Sequence, residues 1–110
     1  MKQYVIDELR PEEYDKIKTY MDENFGSSAL GDVYWIPLAP DMLTDVQTSH
    51  TDCQPFCFAI DLEPNLMACE FLVRTRNKMR CSCIEYATER QRNRIIEIVD
   101  AIFEKLEIKT

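Results

Sequence analysis

PFCFAIDLE (residues 55–63), LMACEFLVRT (66–75) and MRCSCIEYA (79–87) are three apolar-rich runs separated by Pro64-Asn65 and Asn77-Lys78. Runs of this length, bounded by turn-forming residues, predict three antiparallel strands joined by hairpins. With a two-residue first turn, Phe58 faces Phe71, Ile60 faces Cys69 and Leu62 faces Met67. This register puts apolar partners on one face, whereas a slip of one residue would turn them all to solvent.

The flanking segments supply helices to cover such a sheet. On the carboxyl side, Thr88 and Gln91 have the spacing of a capping box, followed by Ile95, Val99, Ile102, Phe103 and Leu106 at helical intervals. On the amino side, Pro11 opens a helix over about residues 11–25, with Tyr14, Ile17, Met21 and Phe25 on one stripe and Gly26 just past its end. A first strand is expected over Tyr4 to Leu9. Val33 to Leu38 reads as an edge strand, because Pro37 cannot donate to a sheet ladder. Pro40 and Asp41 predict the start of a short helix carrying Leu43, Val46 and His50 on one side. The predicted fold is α+β, one domain over residues 1–110: an antiparallel sheet of four to five strands covered by helices mainly on one face, in the order β-α-β-α-β-β-β-α.

Length and composition agree with a single globular unit, at 110 residues with 45% hydrophobic and 30% charged side chains. No apolar run approaches the roughly 20 residues of a membrane span, and acidic residues enter at Asp7 and Glu8, so neither membrane insertion nor a secretory leader is expected. Five cysteines form an odd set that a closed disulfide framework would not use up. Reduced thiols and a cytoplasmic location are the simpler expectation. With only two glycines, Gly26 and Gly31, the chain lacks a phosphate-cradling loop or a dinucleotide-binding fingerprint.

Two constellations remain. His50, Cys53 and Cys57 lie close in sequence, and Cys81 and Cys83 are two residues apart, but they do not form the paired knuckles of a zinc motif. If residues 79–87 are a strand, Cys81 and Cys83 stand about 6–7 Å apart along it, and Cys57 and Cys83 lie across two strand spacings, roughly 9–10 Å. On that geometry the thiols read as packing residues, no cofactor is expected, and a metal or redox-thiol site at His50, Cys53, Cys57, Cys81 and Cys83 is the alternative. His50, the one histidine, reads as a partly buried helix-end residue, with no local signature of nucleophilic catalysis.

The second constellation is a segregation of charge. The net charge is −7, yet residues 1–73 carry 4 basic and 14 acidic side chains while residues 74–94 carry 7 basic and 2 acidic. Arg74, Arg76, Lys78 and Arg80 sit around the second turn, and Arg90, Arg92 and Arg94 begin the last helix, where cations oppose the helix dipole by a few tenths of a kcal/mol each. Together with Trp35 on the edge strand they form the expected contact surface. The reading that follows is a non-catalytic, adaptor-like interaction domain that self-associates or binds a protein partner. Phosphate or nucleic-acid binding by the arginines is a further alternative, disfavoured by the acidic total.

Overall fold

The computed structural model describes residues 2–26 and 32–109. Its elements are β1 (Gln3–Ile6), α1 (Pro11–Phe25), β2 (Val33–Pro37), α2 (Asp45–Ser49), β3 (Phe56–Glu63), β4 (Leu66–Glu70), β5 (Leu72–Thr75), β6 (Glu85–Tyr86) and α3 (Glu89–Lys105). Short 3₁₀ turns at Pro40–Met42 and Thr51–Cys53 flank α2. The architecture is α+β, with six strands rather than four or five in one antiparallel sheet. No helix is long and apolar enough to cross a membrane among the described residues.

β3 is the centre of the sheet. It pairs with β2 on one side and, on the other, with β4 along its second half and β5 along its first. Phe56, Phe58, Ile60 and Leu62 alternate along it, and all four are fully buried in one core with Ile17 and Met21 of α1 and Ile95 and Val99 of α3. The β3–β4 hairpin has the predicted register at Ile60–Cys69 and Leu62–Met67. β2 pairs only with β3, so it is the edge strand that Pro37 required. β1, at Gln3–Ile6, is shorter than expected and closes the other side of β4.

Two sequence expectations fail around β5. Between the pairs Ile60–Cys69 and Cys57–Arg74, β3 has two residues and its partner has four, so the strand is broken at Phe71 and the Phe58–Phe71 pair does not form. Phe71 spends its peptide groups elsewhere: its N–H donates to the Lys2 carbonyl and its carbonyl accepts from the Ala87 N–H, at 3.0 and 2.7 Å. The expected strand over residues 79–87 shrinks to Glu85–Tyr86, paired with Val73 and Leu72, and the chain between β5 and β6 is irregular rather than a tight hairpin.

The helix expected to start at Pro40 also divides. Pro40 starts a single 3₁₀ turn, Leu43 is extended, and Thr44 begins α2 because its side chain accepts from the Gln47 N–H while the Gln47 side chain accepts from the Thr44 N–H. Thr88 and Gln91 form the same reciprocal cap at α3 as predicted.

Candidate metal centre

Two irregular segments meet beside the core. One is the end of α2, where His50 is the C-cap and the following 3₁₀ turn carries Cys53, with the Cys53 N–H donating to the His50 carbonyl at 3.0 Å. The other is the connection from β5 to β6, in which the Ile84 N–H donates to the Cys81 carbonyl and turns the chain sharply through Cys81 and Cys83. A strand would hold these two thiols apart; a turn lets both point at one place.

The result is a four-donor cluster: the ligating atoms of His50, Cys53, Cys81 and Cys83 all lie within 4.8 Å of one another. His50 Nδ1 is 3.2 Å from Cys81 Sγ, and Cys53 Sγ is 3.9 Å from Cys81 Sγ. A zinc ion held tetrahedrally at its usual bond lengths needs donors about 3.8 Å apart for two sulfurs and about 3.6 Å for nitrogen and sulfur. The Cys53–Cys81 spacing is close to that value, the His50–Cys81 spacing is shorter by about 0.4 Å, and all four donors lie within reach of one ion. Cys53 and Cys83 are fully buried, whereas Cys81 and His50 are partly exposed.

Electrostatics separates the thiols further. The backbone N–H of Cys83, then its thiol, bond to Cys81 and bring the Cys81 thiol down to about 6, with His50 and Cys53 assisting. Burial first, and hydrogen bonds to Cys81 and Cys53 second, push Cys83 up to about 12. These bonds favour the Cys81 thiolate; a cation would favour it further and draw the proton from Cys83 as well.

The surroundings hold both segments in place. Lys78 Nζ lies 2.7 Å from Asp52 Oδ2, and Asn77 Nδ2 donates to the carbonyls of Asp52 and Gln54, so the connection is tied to the Cys53 turn from a second direction. Behind the cluster the two buried cap glutamines are joined. Gln91 Nε2 donates to Gln47 Oε1 at 2.9 Å and to the Met42 carbonyl, and Gln47 Nε2 reaches the Cys83 carbonyl at 3.4 Å. The side chains that cap α2 and α3 therefore also support the peptide of one candidate ligand.

Cys57 is not brought into this group. It is buried on β3 beside Arg74 and Pro37, with its Sγ 3.9 Å from the Pro55 carbonyl, and burial raises its thiol despite the opposing field of Arg76. Cys69 packs in the core, where burial raises it to about 12.

The basic residues divide among several environments. Arg74 bonds Glu70 at 3.1 Å and lies 4.7 Å from the Trp35 ring, and Arg76 lies 5.6 Å from the same ring. Trp35 is half-buried on β2, opposite Ala59. Arg94 pairs with Glu97, while Arg80, Arg90 and Arg92 are exposed and form no ion pair among the described residues. Arg74 and Arg76 thus gather at Trp35, while Arg90, Arg92 and Arg94 line the start of α3.

The sequence carried a legible part of this site, His50-x2-Cys53, but the contribution of Cys81 and Cys83 depends on a turn that strand periodicity concealed. The two glutamines gave a signal only as helix caps. No protein-family model, curated protein or solved structure matches the chain.

Proposed function

We propose that the protein is a small metal-stapled interaction domain, in which His50, Cys53, Cys81 and Cys83 hold one zinc ion in a structural site. The observation that carries this reading is the convergence of four donor atoms within 4.8 Å. Three soft thiolates and an imidazole within reach of one ion favour zinc over hard cations. Four protein donors fill a tetrahedral ion completely, leaving no position for a reacting water, so the ion serves structure rather than hydrolysis. It links the end of α2 to the β5–β6 connection, two segments with little regular structure of their own. Metal binding then contributes directly to folding free energy.

The staple also supports an interaction role. It anchors the base of the segment Arg76-Asn77-Lys78-Met79-Arg80, in which Met79 is 98% exposed and Arg76 and Arg80 form no ion pair among the described residues. A long apolar side chain between exposed cations suits a protein partner that offers an apolar pocket rimmed by carboxylates better than a nucleic-acid backbone, which offers phosphates alone. Three thiolate ligands suit a reducing compartment such as the cytoplasm, the location expected from the odd number of cysteines.

Elemental analysis of protein purified without a tag tests the metal reading. One zinc per chain is expected, retained in Cys57→Ser and lost in Cys83→Ser. A chain isolated repeatedly without metal that also fails to take up added zinc, or a Cys83→Ser variant with full zinc content, would overturn it.

A further inference from the structure

The four donors are not equally protected. Cys53 and Cys83 are fully buried, and Cys81 is the one sulfur of the cluster open to solvent, on a connection whose neighbouring Arg80 and Ser82 are exposed. The Cys53 sulfur lies 3.9 Å from that of Cys81 and is contributed by a different segment. The remaining thiols of the chain, Cys57 and Cys69, are buried elsewhere.

We infer that Cys81 is an oxidation site for peroxides, and that its oxidation closes a disulfide with Cys53 and releases the metal; this rests on the zinc reading above. The Cys81 sulfur attacks one oxygen of hydrogen peroxide, breaking the O–O bond; the sulfur is oxidised to a sulfenic acid and the leaving hydroxide takes a proton to become water. The Cys53 sulfur then attacks the sulfenic sulfur, forming the S–S bond as the C–S–OH oxygen leaves and is protonated to a second water. Two thiolates, one peroxide and two protons thus give one disulfide and two waters, and the ion loses two of its four ligands. The sulfurs must approach from 3.9 Å to a bond of about 2.05 Å. That movement is available to two side chains on separate turns. Cys83 is as fully buried as Cys53, but its carbonyl is held by Gln47, which ties down the peptide that carries this thiol and makes it the poorer partner.

The arrangement makes the staple reversible. Oxidation exchanges a metal link between the His50–Cys53 turn and the β5–β6 connection for a covalent one, freeing His50 and Cys83, and thiol reductants restore the ligand set.

The test uses the full chain, first shown to contain zinc, treated with equimolar hydrogen peroxide while a chromogenic chelator reports free zinc and peptide mapping locates the disulfide. One zinc released per peroxide consumed, with a Cys53–Cys81 disulfide and recovery of zinc binding after reduction, is the expected result. The double variant Cys57→Ser, Cys69→Ser should release zinc as the unaltered chain does. Zinc retained under excess peroxide, or a disulfide mapped to Cys81–Cys83 or to Cys57, overturns the inference. A chain that never binds zinc instead overturns the metal reading, and mapping of the Cys53–Cys81 bond in the metal-free protein still decides the inference.

Discussion

The β3–β4 hairpin and the connection from β5 to β6 look alike as sequence, each an apolar-rich pair of runs around a short polar break, and they fold by different rules. In the first, Ile60 and Leu62 on β3 face Cys69 and Met67 on β4, and every one of these side chains is fully buried. A one-residue slip would expose them all, so burial alone selects the register. In the second, Met79 is almost fully exposed, and Cys81 and Cys83 leave strand geometry to meet His50 and Cys53. Alternation of apolar residues reports a register when the side chains seek a layer. It misleads when they seek a point.

The largest expected effect separates the two regions. Phe58→Ala removes a fully buried ring at the centre of the core and should lower stability by about 3–5 kcal/mol in a urea titration. The folded fraction of the variant should keep its metal content. Removing metal with a chelator should do the reverse: amides of the β5–β6 connection lose protection in hydrogen exchange while those of Ile60 and Leu62 stay protected. If chelation unprotects both regions equally, the metal holds the whole fold and the two regions are one cooperative unit.

How much was legible in the sequence follows the same division. α1 and α3 were visible because Ile17 and Met21, and Ile95, Val99 and Ile102, recur at helical spacing toward the core, and the Thr88–Gln91 cap marked where α3 begins. The edge position of β2 followed from one proline. The break at Phe71 was hidden, because its cause lies in backbone hydrogen bonds to Lys2 and Ala87, remote segments whose approach no local pattern announces. The four donors of the candidate metal centre could be named from the sequence, with Cys57, as the alternative to packing thiols, but their convergence could not: Cys53 and Cys81 lie on two turns 28 residues apart, and the meeting of those turns is a tertiary fact.

A smaller effect tests the coupling between the two regions. Gln47 is fully buried, caps α2 at Thr44, accepts from Gln91 and donates to the Cys83 carbonyl. Gln47→Ala leaves these groups short of a partner and should cost about 1–3 kcal/mol of stability. Because the same side chain supports the peptide of a ligand, zinc affinity measured by competition with a chromophoric chelator should fall by roughly 10- to 100-fold, the usual range for residues that orient metal ligands. A loss of stability with unchanged zinc affinity would reduce Gln47 to a cap.

The smallest effect is expected where the sheet edge carries its cations. Arg76 is exposed and lies 5.6 Å from the Trp35 ring, while Arg74 lies closer, at 4.7 Å, and is also bonded to Glu70. Two cations over one ring do not contribute equally, and an exposed cation–π contact is worth about 0.5–1 kcal/mol. Arg76→Gln should therefore lower the stability found by urea titration by no more than that range, since Arg74 stays on the ring. Trp35 is the single tryptophan of the chain, so tryptophan emission reports on the surroundings of this one ring. Its emission should move little in Arg76→Gln and further to the red in Arg74→Gln, where the closer cation and the Glu70 bond are both lost. This ordering bears on the interaction role. A cation that contributes little to the fold is free to meet an acidic partner, and Arg76→Gln should then weaken binding to a poly-glutamate probe at low salt more than it weakens folding. If Arg76→Gln instead destabilises the chain by as much as Phe58→Ala does, the guanidinium belongs to the core packing around Trp35 and is not a contact held in reserve for a partner.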